Sequence, residues 1–189
     1  KLKQEGKILN LGVSVEKVEE AIKAIEYDNV ATVQIIYNIF RQRPRERFFR
    51  MAAEKNIGLI IRVPLASGLL SGKFGPDTRF APGDHRFFNR TGLFFDKGET
   101  FAGVPYDTGL KAVTRLRALF PENTPLVQAA LQWILQSEEV SCIIPGASSA
   151  DQVKSNLNTA AFPGFTTEQM EAVNAIYDEE IKPLVHHLW

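Results

Sequence analysis

The stretch Ile57-Gly58-Leu59-Ile60-Ile61-Arg62-Val63-Pro64-Leu65-Ala66-Ser67-Gly68-Leu69-Leu70-Ser71-Gly72-Lys73-Phe74 decides how the rest of the chain is read. It opens on an apolar run, Ile57–Ile61, with the character of a buried strand. Beyond Arg62 it becomes a loop of small residues, Ala66, Ser67, Gly68, Ser71 and Gly72, and it finishes in a cation, Lys73. Small side chains let a backbone come close to a ligand, and their free N–H groups suit phosphate oxygens.

Working outward, the same order of strand, loop and helix recurs. Ile8–Val13 reads as a short apolar strand, and Ser14 is placed to cap a helix over Val15–Glu26, with apolar spacing at Val15, Val18, Ala21, Ile22 and Ile25. Ala31–Tyr37 is β-branched and strand-like. Pro44 stands where a helix can begin, and Arg45–Lys55 follows as that helix. Asn56–Gly58 turns the chain into a strand over Leu59–Val63. Residues 75–106 are irregular and rich in Gly, Pro and Phe, which predicts a lid packed on the body rather than a plain linker. Helices are expected at Asp107–Phe120 and Pro125–Gln136, the second with Thr124 as N-cap and Pro125 at its first position. A last strand at Ser141–Ile144 and helices at Ala150–Ala160 and Thr167–Glu180, the latter capped by Thr166, lead into a tail over 178–189.

Four strands alternating with helices favour a parallel sheet with right-handed crossovers. Their near-continuous apolar character suggests cover on both faces. The expected fold class is α/β, and four such units amount to half of an eight-stranded TIM barrel, whose site lies on the loops at the C-terminal ends of the strands. The 189 residues are few for a complete barrel, which runs to about 250. An open half-barrel exposes two sheet edges. It therefore needs a partner, either a missing N-terminal half or a second copy by self-association.

Lys plus Arg and Asp plus Glu both number 22, so no global field favours nucleic acid or an acidic membrane. The basic run Arg41–Arg47 reads as a solvated loop and helix start, with an anion-binding patch as the other possibility. No apolar run is long enough to cross a bilayer and no secretory pattern appears. The single cysteine, Cys142, excludes an intrachain disulfide and reads as a small buried strand residue, which suits the reducing cytoplasm. Lys1–Lys7 looks like the end of a surface helix closed by Gly6, which suggests that more chain preceded it. His186 and His187 are adjacent and cannot share a helical face as metal ligands, so no metal site is expected.

Four motifs in order, Gly6-Lys7-Ile8 with Gly12-Val13-Ser14, Val33–Asn38, Pro64–Phe74 and Ile143–Asn156, resemble the aldo-keto reductase superfamily, most closely its bacterial branch that includes potassium-channel β-subunit-like oxidoreductases. The resemblance covers nearly the whole chain. It implies a (β/α)8 barrel binding NADP(H) across the strand ends and reducing a small aldehyde or ketone by hydride transfer. On that resemblance the chain is one partial barrel domain carrying strands five to eight. The family's catalytic Asp, Tyr, Lys and His would fall before residue 1, so no catalytic residue is expected here and the chain alone is expected to be inactive.

The resemblance also assigns cofactor positions. Ser14 and Gln34 match those that hold the nicotinamide carboxamide, an amide that needs both donors and acceptors. Read alone, Ser14 is equally a helix cap; Gln34, in an apolar strand, needs a polar partner because an unpaired buried amide costs about 1–3 kcal/mol. Arg62 stands where relatives stack Tyr or Trp on the nicotinamide; arginine can stack too, yet a structural ion pair explains it as well. Pro64, Leu65, Ala66, Ser67 and Gly68 match the loop crossing the pyrophosphate, with Lys73 and Arg79 neutralising phosphate. Gly146, Ser148, Gln152 and Asn156 match the adenosine side, the last three recurring on one helical face. Val15 replaces the family's Asn, and Ser149 replaces a cation that often binds the 2′-phosphate, which is expected to weaken a preference for NADP over NAD. The alternative function is a non-catalytic NADP(H)-binding or regulatory subunit. The substrate pocket is expected to draw on the Phe-rich segment 80–101 and the tail.

Overall fold

In the computed structural model, which describes residues 1–189, the β-branched runs form four strands. They are β1 (Leu11–Ser14), β2 (Val30–Ile36), β3 (Gly58–Arg62) and β4 (Val140–Ile143). All pairings are parallel and the spatial order is the chain order, β1-β2-β3-β4. The helices are α1 (Val18–Ala24), α2 (Phe48–Glu54), α3 (His85–Phe88), α4 (Tyr106–Arg117), α5 (Leu126–Leu135), α6 (Ala150–Leu157), α7 (Thr167–Ile176) and α8 (Lys182–Val185). Parallel neighbours joined through helices are what βαβ units produce.

The register sorts the sheet into two faces. Val33 pairs with Leu59, and Ile35 with Ile61; all four are fully buried and join one core with Val18, Phe49, Ala129 and Trp133 from the helices. The intervening residues point to the opposite face, as the period of two requires. There Ser14 pairs with Gln34, Gln34 with Ile60 and Ile60 with Cys142, forming one row across all four strands. Gln34 and Ile60 are half-buried, while Ser14 and Cys142 are exposed. One face is therefore covered and the other open, not both covered as the apolar runs suggested.

This corrects the burial expected for Cys142. It lies on the open face of an edge strand whose only neighbour is β3. A register shift between Leu59 and Ile60 admits Ser141 as an extra residue, and the Ser141 hydroxyl accepts from the Leu59 N–H at 3.0 Å. That bulge sets Cys142 beside Ile60.

Several element ends also differ from the sequence pattern. The first strand starts three residues later than expected, and Leu9 stays 85% exposed. Ser14 does not cap α1; the Glu20 carboxylate accepts from the Glu16 and Lys17 N–H groups at 2.9 and 3.0 Å instead. Pro125 takes the N-cap position of α5, with no side-chain cap from Thr124. Thr166 does cap α7, in a reciprocal pair with Gln169 at 3.2 and 3.0 Å. Gly6, at φ 68°, closes helical turns over the first residues.

Residues 75–106 form an excursion pinned to the body by aromatic packing. Phe80 meets Phe74 at 5.2 Å and Phe101 at 5.8 Å, and Arg90 lies 5.0 Å from the Tyr106 ring centre. The tail folds back as a π-helical turn over Tyr177–Ile181, then α8. Tyr177 and His186 share a 2.7 Å hydrogen bond, and His186 meets Glu46 at 3.1 Å, so His186 is packed and His187 exposed. Trp189 is buried over the Arg41 guanidinium at 4.1 Å.

Candidate functional site

The C-terminal ends of β1, β2 and β3 bring charge together. Arg62, the last residue of β3, donates to Glu16 at 2.6 Å, to Glu99 of the excursion, and to the Val15 carbonyl at 3.1 Å. Of the two readings of Arg62, the structure therefore shows the ion pair. Burial pushes the Glu16 carboxyl above its ordinary value, against the pull of Arg62. Arg41, after β2, is almost wholly buried and donates to the Glu16 carbonyl. Its burial lowers the guanidinium to about 10.

Immediately after Arg62 the backbone enters the left-handed region. Val63, Ala66 and Ser67 have φ of 49°, 47° and 55°, and Gly68 has 95°. Such conformations cost about 1–3 kcal/mol each in non-glycine residues and persist only where the surroundings enforce them. Two side chains do so. Asn38, fully buried after β2, donates to the Val63 carbonyl at 2.9 Å. The Ser67 hydroxyl donates to the Glu99 carbonyl at 2.9 Å and accepts from the Phe101 N–H at 3.1 Å.

This strained loop forms one wall of a cleft of about 890 Å³. The opposite wall is the segment from Gly146 to Asn156, which carries the start of α6. Of the expected positions, Pro64, Leu65, Ser67, Gly68, Lys73, Gly146, Ser148, Gln152 and Asn156 all line it. Lys73 makes no ion pair and is exposed, a free cation at the rim. Ser148 precedes the cap of α6 rather than lying on the helix; its N–H donates to the Gln152 carboxamide at 2.7 Å. Ser149 is the cap, accepting from the Gln152 N–H at 3.3 Å.

Other expected positions lie elsewhere. Ser14 and Gln34 meet each other on the open face, hydroxyl to amide oxygen at 3.4 Å, which leaves the Gln34 amide nitrogen free to donate. Arg62 is two residues beyond Ile60, so it lies on the same face one layer nearer the strand ends. Ala66 is buried beneath the loop. Arg79 lines a separate cleft with Phe80, Arg90 and Tyr106. No residue of the tail lines the main cleft, while His85, Arg86 and Glu99 of the excursion do. Arg86 is held by Asp84 at 2.5 Å, and this pairing keeps the Asp84 carboxyl down at about 2.

The sequence pattern missed Asn38, Glu16 and Glu99. Arg62 at the end of a buried strand signalled that an acid must be near. Glu16, two residues past the end of β1, was a findable candidate. Glu99 sits in the irregular excursion, where nothing local marked it.

Residues 1–178 match the model of the aldo/keto reductase family. The chain belongs to the aldo/keto reductase family. It is 26% identical over 196 residues to the L-glyceraldehyde 3-phosphate reductase of Escherichia coli O157:H7, covering 98% of this chain and 53% of that protein. It is 27% identical over 154 residues to a probable voltage-gated potassium channel subunit beta of Oryza sativa subsp. japonica, covering 77% of this chain and 43% of that protein. Among solved structures, the glycerol dehydrogenase of Gluconobacter oxydans superposes with a TM-score of 0.73 at 26% identity, covering 95% of this chain and 52% of that one. The chain thus spans about half the length of the relatives it matches. Its four-stranded parallel sheet with helices on one face is a partial barrel of the family's TIM-barrel type. No helix is long and apolar enough to cross a membrane.

Proposed function

We propose that this chain is the dinucleotide-holding half of a nicotinamide-dependent carbonyl reductase, corresponding to strands five to eight of a (β/α)8 barrel. The observation that carries the reading is the cleft between the small-residue loop with Lys73 and the start of α6. The Ser14–Gln34 pair lies outside that cleft on the open face, with Arg62 on the same face one layer nearer the strand ends. Taken from that pair to α6, the polar chemistry changes in the order a nicotinamide dinucleotide presents. The free Gln34 amide and the Ser14 hydroxyl suit a carboxamide. Lys73 and the backbone of the Pro64–Gly72 loop suit a pyrophosphate. Gln152 and Asn156 suit a ribose. Family resemblance implies NADP(H); the cleft by itself supports the dinucleotide common to NADP(H) and NAD(H). When bound, that group supplies the hydride for reduction of a small aldehyde or ketone.

The open face and the two unpaired edges support a complementary half that closes the sheet and brings the catalytic groups. The chain alone, working in a reducing cytoplasm, would then hold the dinucleotide without turning it over. The likeness to the rice channel subunit favours a second reading, a non-catalytic dinucleotide-binding subunit. Fluorescence titration of the purified chain with NADPH, beside an aldehyde-reduction assay, tests the first. Binding that weakens in Gln34→Ala, without aldehyde-dependent oxidation, is the expected result. Turnover abolished by Gln34→Ala would overturn the assignment of catalysis to the other half. Reconstitution of turnover by a complementary half separates the first reading from the second.

A further inference from the structure

Three things stand against the backbone that Val63 adopts. Its φ is 49°, in the left-handed region. Its Cβ is branched, which makes that region costly. Pro64 follows it, and a proline biases the residue before it toward an extended backbone. Left to these preferences, the chain would run on outward from β3 instead of turning to form the cleft wall.

The turn depends on the Val63 carbonyl. It accepts from the Ala66 N–H at 3.1 Å, closing residues 63–66, and from the Asn38 amide nitrogen at 2.9 Å. Asn38 has no exposed surface, and its amide oxygen accepts from the Phe40 N–H at 2.9 Å. It stands in a tight reversal in which Asn38 and Arg41 exchange backbone bonds at 2.8 and 3.3 Å. Arg41 of the same reversal donates to the Glu16 carbonyl, and the Glu16 carboxylate pairs with Arg62 at 2.6 Å. Arg62 and Val63, the two residues at the exit of β3, are thus both held from residues 38–41.

The other polar holds on the loop are of a different kind. Ser67 bonds to Glu99 and Phe101, so it ties the loop to the excursion. At the far end the exposed Arg117 donates to the Gly72 carbonyl at 3.4 Å. Asn38 joins the start of the loop to the body that carries the sheet, and it does so without lining the cleft.

We propose that Asn38 is a positioning residue for the cleft. It touches no ligand. By fixing the Val63 carbonyl it selects the left-handed course that makes Pro64–Gly68 a wall, and the competing extended course at Val63 removes that wall. The consequence for binding rests on the dinucleotide reading above: a loop only fractionally in the turned course binds NADPH more weakly by that fraction.

Two substitutions in the full chain test this. Asn38→Ser keeps a hydroxyl for the Phe40 N–H and is too short to reach Val63. Val63→Gly removes the preference against the left-handed turn, so the clamp is no longer required. In the ligand-free chain, Asn38→Ser should accelerate amide hydrogen exchange about tenfold over residues 63–72 while the amides of α5 keep their rates. Adding Val63→Gly should return exchange toward the unaltered rate. NADPH fluorescence titration should show affinity about tenfold lower in Asn38→Ser, most of it regained in the double variant. A general loss of stability would instead raise exchange in α5 as well, and a change at residue 63 would not rescue it. Unchanged exchange over residues 63–72 in Asn38→Ser, or no recovery in the double variant, would overturn the positioning role and leave the dinucleotide reading standing. Should Asn38→Ser by itself not fold, the double variant must still fold and bind NADPH, and its failure overturns the role equally. Absence of NADPH binding by the unaltered chain would overturn the dinucleotide reading, and the exchange result then decides the role of Asn38 by itself.

Discussion

Replacing Arg62 by Met removes one guanidinium from between two carboxylates. Glu16 and Glu99 both pair with it, and the Val15 carbonyl loses its donor. Breaking a buried ion pair from one side costs about 3–5 kcal/mol, because the remaining charge is left uncompensated. The Glu16 and Glu99 side chains keep 33% and 28% of their exposure. Solvent therefore screens part of the penalty, and the lower end, about 3 kcal/mol, is expected. The loss depends on pH with a definite sign. Without Arg62, burial and the neighbouring Glu99 charge hold the Glu16 carboxyl above its ordinary value with nothing to oppose them, so the native state binds more protons than the unfolded chain. Stability of the variant then falls as pH rises through that raised value. Relative to the unaltered chain, the deficit is full at neutral pH and shrinks toward about pH 4 as Glu16 protonates. Urea unfolding followed by Trp133 and Trp189 fluorescence reads it. With a slope of about 2 kcal/mol per molar, the midpoint should drop by about 1.5 M at neutral pH. The triple variant Arg62→Met with Glu16→Gln and Glu99→Gln should recover much of that. A loss under about 1 kcal/mol, or a deficit identical at both pH values, would refute the reasoning.

Three further substitutions probe the supports of the cleft. Ser67→Ala removes both bonds between the loop and the excursion and strands the N–H of the buried Phe101; a loss of about 2 kcal/mol and faster chymotryptic cleavage within residues 80–101 are expected. Gly103→Ala sets a Cβ 2.5 Å from the Trp189 ring at φ 75°, so thermal stability should fall by about 1–3 kcal/mol, and Trp189→Leu in the same chain should return part of it. Asp84→Asn removes the partner of Arg86. Because the Asp84 carboxyl is held down at about 2, its contribution is present above the ordinary carboxylate range and disappears as pH falls toward that value. Acid unfolding should show variant and unaltered chain differing by at most about 1 kcal/mol at neutral pH, after solvent screening, and converging below about pH 3.

The strands, their parallel order and most helices were legible because their signals are local. A β-branched run, a capping Thr166 or a proline beside a helix start acts within a few residues. The open face was not legible. Continuous apolar runs are compatible with helices on both faces of a sheet and with a barrel whose interior faces itself. Composition does not separate the two, and so Cys142 read as buried. Its exposure follows from the side of β4 on which the Ser141 bulge places it, and a bulge is a property of pairing between strands whose bonded residues, Leu59 and Ser141, stand 82 apart in sequence.

Arg62 shows the same limit more sharply. A guanidinium at the end of a buried strand must have an acidic partner or a ligand, and the chain alone cannot say which. The structure supplies Glu16 and Glu99, and those partners change what the residue can do. A guanidinium already neutralised by two carboxylates, and tied to the Val15 carbonyl, is a poor free cation for a pyrophosphate but a rigid one. It fixes the end of β3 just where Val63 turns into the left-handed region, and through Glu99 it fixes the excursion that Ser67 also holds. Arg62 thereby gives the cleft its shape, and Lys73, which has no such partner, is left as the charge available to a ligand.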